Sequence, residues 1–379
     1  MKTEFKIDIA GQVLEDLKTR LAETRWPDEI EESGWNYGTN LAYTKELCQY
    51  WQNNFEWRKQ EDYLNSFTHY QSEIDNFRLH YIYEKGKGSH NIPLLLTHGY
   101  PDSFVRFLKI IPLLTQADEN GFAFDVVIPS IPGYGFSEKP SKKGMDPAKI
   151  ATLFARLMTE ELGYQQFTAH GGDWGSTITE QLITHFPKQI TAIHLTDVPY
   201  KHIFNIPTDE LSEEEKKYME EGKKWQMQEG AYAMIQGTKP QTLAYGINDS
   251  PAGLAAWIIE KFRTWSDCDG AIESRFSKDE LLTNITIYWV TETANSAFRI
   301  YYESFHMQDS GNTKKPQTPV GLTTFPKDIV PTPKQFAERI FNLKYFSNMP
   351  EGGHFAAMET PELLASEIRK FFIIESNNT

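Results

Sequence analysis

Residues Gly171-Gly172-Asp173-Trp174-Gly175-Ser176 set one carboxylate among small residues, with the apolar run Phe167-Thr168-Ala169 ahead of them and Ile178, Leu182 and Ile183 at helical spacing behind. A strand that turns this sharply into a helix strains the dihedrals of its central residue, and glycines on either side let the two segments pass without a clash. The pattern predicts strand, turn and helix with Asp173 at the tip. An ionised carboxylate held there can displace a leaving group from a saturated carbon and form an ester that water later cleaves. Serine in that place would form an ether, which water does not cleave, so the motif points away from ordinary ester hydrolysis. Aspartate is also a common helix N-cap, but a cap needs no flanking glycines.

Around this turn strand and helix patterns alternate, which predicts a mostly parallel sheet covered by helices. The strand candidates are 67–74, 77–83, 92–97, 124–128, the run into Asp173, 190–195, 319–323 and 344–347. Before them Val13, Leu14, Leu17 and Leu21 mark an amphipathic helix that stops at Arg25-Trp26-Pro27, because proline disfavours helix for its predecessor. Residues 28–65, rich in Trp and Tyr, show little clean period and read as a wrap packed on the outside of the core. From about Tyr200 the pattern turns helical, over 213–225, 254–265 and 281–302, which predicts a helical cap inserted into the core. The expected divisions are 1–90 for the wrap and first strands, 91–199 for the first part of the core, 200–310 for the cap and 311–379 for the second part. That second part closes with helices near 333–341 and 361–372. Glu213-Glu214-Glu215-Lys216-Lys217 reads as a solvated helix face, since its charges largely cancel.

Charge and residue types exclude several functions. A net charge of -14 over 379 residues repels nucleic acid and anionic membrane surfaces. The opening Met1-Lys2-Thr3-Glu4-Phe5-Lys6-Ile7-Asp8 carries charge throughout, and no later stretch has the apolar length to span a bilayer, so neither signal peptide nor membrane anchor is expected. Cys48 and Cys268 are the two cysteines, without CxxC spacing, and imply a reduced, cytoplasmic setting. No HExxH or paired Cys/His spacing predicts a metal. Gly133-Tyr134-Gly135 lacks the third glycine of a dinucleotide fingerprint, so no cofactor is expected.

Taken in order, these pieces resemble the α/β-hydrolase fold and, more closely, the epoxide hydrolases of the microsomal type in a soluble form. The likeness covers nearly the whole chain. It rests on the N-terminal wrap, His98-Gly99-Tyr100-Pro101, Gly133-Tyr134-Gly135-Phe136-Ser137, the Asp173 turn, two cap tyrosines and Gly352-Gly353-His354-Phe355. It implies a small hydrophobic epoxide as substrate, opened to a vicinal diol through a hydroxyalkyl ester on Asp173, with no cofactor and a homodimer formed through the cap or the wrap.

An aspartate of ordinary pKa, about 3.9, needs no base to become a nucleophile, so histidine belongs to the second step. His354, in a glycine-rich loop after the last strand, is then the base for the water that cleaves the ester. The resemblance assigns Asp328, in Phe325-Pro326-Lys327-Asp328, as the acid that orients it, with Asp197 as substitute. Aspartate is one methylene shorter than the glutamate often found there, so its loop must sit closer to the histidine. Tyr232 and Tyr301 are the matching donors to the oxygen of the opening ring, with Tyr302 replacing Tyr301 if the register shifts by one. The amides of Trp174 and Tyr100 are the expected oxyanion donors, and the same two residues the expected substrate contacts. Asp102 stands where glycine is common and either brings charge to the site or points to solvent. His98 is expected to shape its loop and His170 to be a satisfied strand-end residue. Two alternatives stay open: a haloalkane dehalogenase on the same aspartate, with Trp174 cradling halide, or a non-catalytic protein that binds hydrophobic ligands.

Overall fold

The computed structural model describes residues 2–205, 211–307 and 315–377, built on one nine-stranded sheet. Its first strands are β1 (Thr3–Phe5), β2 (His69–Ile74) and β3 (Phe77–Glu84), paired antiparallel. Then come β4 (His90–Thr97), β5 (Phe122–Pro129), β6 (Phe167–Gly171), β7 (Ile190–Leu195), β8 (Pro319–Thr324) and β9 (Asn342–Asn348), all parallel to one another. The spatial order is β1-β2-β3-β5-β4-β6-β7-β8-β9. The winding reverses at β4, which lies between β5 and β6, and the crevice beyond the carboxyl ends of such strands is where open α/β sheets bind ligands. Leu94, Leu95 and Leu96 of β4 and every residue of β6 are buried, as expected of strands covered on both faces. Of the strands, only the three-residue β1 has no counterpart among the sequence expectations.

The N-terminal region holds α1 (Gly11–Ala22), α2 (Leu41–Asn53) and α3 (Trp57–Leu64). The core adds α4 (Ile111–Thr115), α5 (Pro147–Arg156) and α6 (Trp174–His185). Between β7 and β8 the chain forms α7 (His202–Asn205), α8 (Glu213–Glu229), α9 (Ala231–Thr238), α10 (Pro240–Ile247), α11 (Pro251–Thr264), α12 (Lys278–Thr291) and α13 (Ala294–Phe305). It closes with α14 (Lys334–Ile340), α15 (Ala356–Glu359) and α16 (Pro361–Asn377). Of the divisions expected from sequence, residue 1 of the wrap, residues 206–210 and 308–310 of the cap, and 311–314 and 378–379 of the second core part lie outside the described residues.

Four expectations need correction. The Trp- and Tyr-rich stretch is largely helical: Thr44, Leu47, Cys48 and Trp51 bury one stripe of α2, a 3.6-residue period blurred by the half-buried Tyr43 and Tyr50 beside it. This region also packs on α11 and α12 and not simply on the core. Trp51 Nε1 donates to Thr286 Oγ1 at 2.9 Å and Tyr50 Oη to Asp279 Oδ1 at 2.9 Å. The helix expected over 281–302 is two helices, because Glu292 takes a left-handed φ of 52° that ends α12. Finally, Glu215 is no solvated residue. It completes a capping box with Ser212, is buried, and pairs with Arg339, whose guanidinium pulls its carboxyl down to about 2.

Two buried histidine pairs cross the sheet. His69 Nδ1 and His80 Nε2 are 2.9 Å apart, and His170 Nδ1 and His194 Nδ1 are 3.0 Å apart. Burial lowers all four imidazoles, His194 to about 3. An unfolded histidine binds a proton below about pH 6.5 whereas these do not, so stability is complete above that pH and falls as pH drops through it. His194 alone contributes a loss of about 2 kcal/mol by pH 5. Thermal unfolding is therefore expected to show a lower Tm at pH 5 than at pH 7.5, with a shallower slope in His194→Gln. An equal fall in wild type and His194→Gln would mean that His194 does not stay neutral, whatever the raised His354 and Asp197 contribute in the opposite direction.

Candidate active site

Asp173 stands at the tip between β6 and α6 with φ 58° and ψ −129°, which costs a non-glycine residue of order 1–3 kcal/mol. Its neighbours make the turn feasible. A Cβ on Gly171 would collide with the Gly175 backbone, and one on Gly175 with Thr97 O. Asp197, at the end of β7, holds the strained residue: its Oδ1 accepts the Asp173 N–H at 2.8 Å, and its Oδ2 lies 2.7 Å from Ser176 Oγ. Asp197 is thus committed to the turn, not to the histidine as its expected substitute role required. Burial, with Asp328 nearby, pushes it up to about 6.

The Asp173 carboxylate is fixed asymmetrically. Oδ1 accepts two backbone hydrogen bonds, from Tyr100 N at 2.8 Å and Trp174 N at 2.7 Å. Oδ2 is left towards His354, whose Nε2 is 3.3 Å away. On its other side the imidazole donates from Nδ1 to Asp328 Oδ1 at 2.7 Å. A bridge between Lys327 and Gly353 draws the two loops together, which offsets the short reach of aspartate. The loop is also tied to the cap, since His354 N donates to Trp265 O at 2.8 Å. Burial alone would lower the His354 pKa, but the Asp328 and Asp173 carboxylates raise it to about 10.

Tyr232 from α9 and Tyr301 from α13 stand over this carboxylate, their rings 5.8 Å apart. Burial first, then Asp173 for Tyr232 and Tyr232 itself for Tyr301, pushes both phenols well above their ordinary value, so they stay protonated donors. Tyr302 faces elsewhere and stacks on His306 at 4.1 Å. Asp173, Trp174, Tyr232, Tyr301, Asp328 and His354 all border one cavity of about 650 Å³. Val198, Trp225, Met234 and Phe305 add apolar walls, while the Trp174 indole N–H is buried without a partner. Tyr100 contributes its amide only. Its ring lies parallel to that of Tyr232 at 6.1 Å and edge-on to Tyr301 at 5.6 Å, outside the cavity lining, which corrects the expectation of a substrate contact from that side chain.

Residues 2–107 match the epoxide hydrolase N-terminus family, and residues 92–244 match the alpha/beta hydrolase fold family. Epoxide hydrolase 1 of Sus scrofa is 38% identical over 97% of this chain and 87% of its own. The chain belongs to the epoxide hydrolase family. The crystal structure of juvenile hormone epoxide hydrolase from Bombyx mori is similar with a TM-score of 0.87 at 30% identity, covering 100% of this chain and 94% of that one. The structure of Aspergillus niger epoxide hydrolase follows at 0.86 and 28%, covering 98% and 96%. Among the described residues no helix is long and apolar enough to cross a membrane.

Within this epoxide hydrolase, Asp102 does neither of the things expected of it. It is buried, accepts Gly99 N at 3.0 Å through Oδ1, and pairs with Arg106 Nη1 at 2.7 Å through Oδ2. Burial pushes its carboxyl up, but Arg106, His98 and the Gly99 amide hold it below the usual carboxylate value. Arg106 also donates to the His354 carbonyl, so one buried ion pair joins the loop that supplies the Tyr100 amide to the loop that carries His354. The sequence reading missed Arg106, although its i,i+4 spacing from Asp102 was a signal. Arg106→Met leaves a buried carboxylate unpaired and is expected to cost about 3 kcal/mol or more, read by denaturant titration. An unchanged midpoint would show that Asp102 finds another partner. His98 is held inside its loop, with Ile131 N donating to Nε2 at 3.1 Å and Nδ1 3.0 Å from Gly99 O. His170 is satisfied by His194.

Proposed function

We propose that this epoxide hydrolase converts an epoxide and water to a vicinal diol in two steps on Asp173. In the first, a lone pair of Oδ2 attacks a ring carbon. The C–O bond breaks, its electrons go to the ring oxygen, and Tyr232 and Tyr301 supply the hydrogen bonds and the proton. In the second, His354 takes a proton from water as its oxygen adds to the ester carbonyl, whose oxygen is Oδ1. The resulting oxyanion rests on the Tyr100 and Trp174 amides. In the collapse the remaining proton of the added hydroxyl passes to Oδ2, which leaves as part of the diol, and the carboxylate is restored with the oxygen of water. The observation that carries this reading is that both amides bind the same carboxylate oxygen, so one oxygen is held for the second step while the other is free for the first.

The electrostatics support a timed base. Flanked by two carboxylates, His354 holds a proton at neutral pH and cannot accept another. Esterification removes the charge of Asp173, and with it one of the causes that raise the imidazole, so His354 is released to act as a base after the ester exists. Its proton replaces the one the phenol gave up.

A single turnover in ¹⁸O-water, with enzyme in excess, is expected to leave the first diol unlabelled and to add about 2 Da to the Asp173 peptide. Label appearing first in the diol would instead mean direct attack by water. The dehalogenase reading has less support. Halide needs cradling N–H donors, and the cavity offers the unpartnered indole of Trp174 beside two phenols suited to an alkoxide. With this chemistry we also propose removal of reactive epoxides in the cytoplasm, where the buried Cys48 and Cys268 stay free thiols, and a homodimer, for which sedimentation of the purified chain is the check.

A further inference from the structure

Lys261, on α11, is 6% exposed. Its Nζ lies 4.8 Å from the centroid of the Tyr232 ring and 5.7 Å from that of Trp265. The charge is only partly answered: the adjacent Glu260 pairs with it, but that carboxylate is itself 22% exposed. Desolvating an ammonium is costly, and a salt bridge between chain neighbours needs no burial. The aromatic face is what this buried position adds. Asp173, and more weakly Tyr100 and Tyr200, oppose ionisation of the Tyr232 phenol, while Tyr301 is its hydrogen-bond partner, and Glu229 stands close to Glu260 and Lys261. Lys261 is the cation seated over the face of the Tyr232 ring, outside the cavity lining that Tyr232 shares with the protonated His354.

As the epoxide C–O bond breaks, its electron pair moves to the ring oxygen, which takes the phenol proton. Negative charge then grows on the Tyr232 oxygen and spreads into its ring. A cation over that ring interacts more strongly with the developing phenolate than with the neutral phenol, and an interaction that strengthens only in the transition state speeds the step. We propose that Lys261 is a positioning residue for ring opening that acts through Tyr232, holding an ammonium over its ring so that the phenol gives up its proton more readily to the epoxide oxygen. Lys261 keeps its own proton and forms no bond to substrate. Glu260 opposes it. The inference rests on Tyr232 as a ring-opening donor, and the test separates the two.

Rapid-quench single turnovers give the rates of ester formation and ester hydrolysis separately. Lys261→Met is expected to slow ester formation about tenfold, the size of a desolvated cation–π contact, with hydrolysis unchanged. Lys261→Arg, which keeps a cation, is expected to restore most of the loss, and Glu260→Gln, which unmasks the ammonium, to speed ester formation. In a Tyr232→Phe background the ring remains but the phenol is gone, so adding Lys261→Met is expected to slow nothing further. Equal slowing by Lys261→Met with Tyr or Phe at position 232, or equal slowing of both steps, overturns the proposal. If Lys261→Met does not fold, Glu260→Gln decides, since no acceleration overturns it too. Unchanged ester formation in Tyr232→Phe alone brings down the role of Tyr232 itself. A slowed Tyr232→Phe beside an unaffected Lys261→Met brings down only the lysine.

Discussion

His354→Ala is expected to stop turnover after the ring has opened, leaving enzyme that weighs more by one whole epoxide, with the added mass on the peptide that contains Asp173. The asymmetry follows from geometry. Ring opening uses Oδ2 of a carboxylate already ionised and already aimed by two amides at 2.8 and 2.7 Å, and no proton has to leave the enzyme's nucleophile. Cleaving the ester requires a water to lose a proton, and His354 is the base in reach, with Nε2 3.3 Å from Oδ2. Losing a general base costs about 10²–10⁴ in rate, enough for the ester to accumulate at equimolar enzyme and epoxide. Intact-protein mass followed by peptide mapping reads the result. A haloalkane that adds its alkyl group without halide, where epoxides add nothing, would reverse the choice between the two chemistries. An adduct on a peptide without Asp173 would end the assignment of the nucleophile.

The second large effect concerns the opposite step. The pair Tyr232→Phe and Tyr301→Phe keeps both rings, and so the packing of Trp174 against Tyr301 at 4.7 Å, but removes both hydroxyls from a buried site. A developing alkoxide then meets no donor, and each lost hydrogen bond of this kind costs about 10²–10³ in rate. Each single variant is expected to slow ester formation by about 10² and the double by about 10⁴. In the His354→Ala background the double variant therefore accumulates no adduct on the timescale that traps it fully with both tyrosines present. Tyr302→Phe is the control, expected to behave as wild type because that ring stacks on His306. Turnover in the double variant within tenfold of wild type would exclude these phenols as the donors.

The residues of the turn itself were legible because each answers a local demand. The backbone at Asp173 cannot take its dihedrals unless Gly171 and Gly175 yield space, and the requirement is written within five positions. The parallel strands were legible for a similar reason: segments buried on both faces are short and apolar, and β4, β6 and β7 read that way. The α2 helix was not, since the half-buried Tyr43 and Tyr50 beside its stripe blur the period. The choice between Tyr301 and Tyr302 was open because it turns on the break at Glu292, a left-handed residue with no glycine to announce it. Arg106 offered only its i,i+4 spacing from Asp102 as a local sign, while its bond to the His354 carbonyl spans 248 positions.

Local order is enough to specify a carboxylate at a strained strand-to-helix turn, a histidine in a glycine-rich loop near the end, and the alternation that makes a parallel α/β sheet. Each depends on backbone torsions or periodicity, which neighbouring residues set. It takes the folded chain to bring Asp328 to His354 while Asp197 braces the turn, to turn the Tyr100 amide and not its ring towards Asp173, and to lay an ammonium over Tyr232. The first three of those outcomes join residues 26, 24 and 73 positions apart, and contacts over such separations depend on how helices and loops pack above the sheet, which no local pattern specifies.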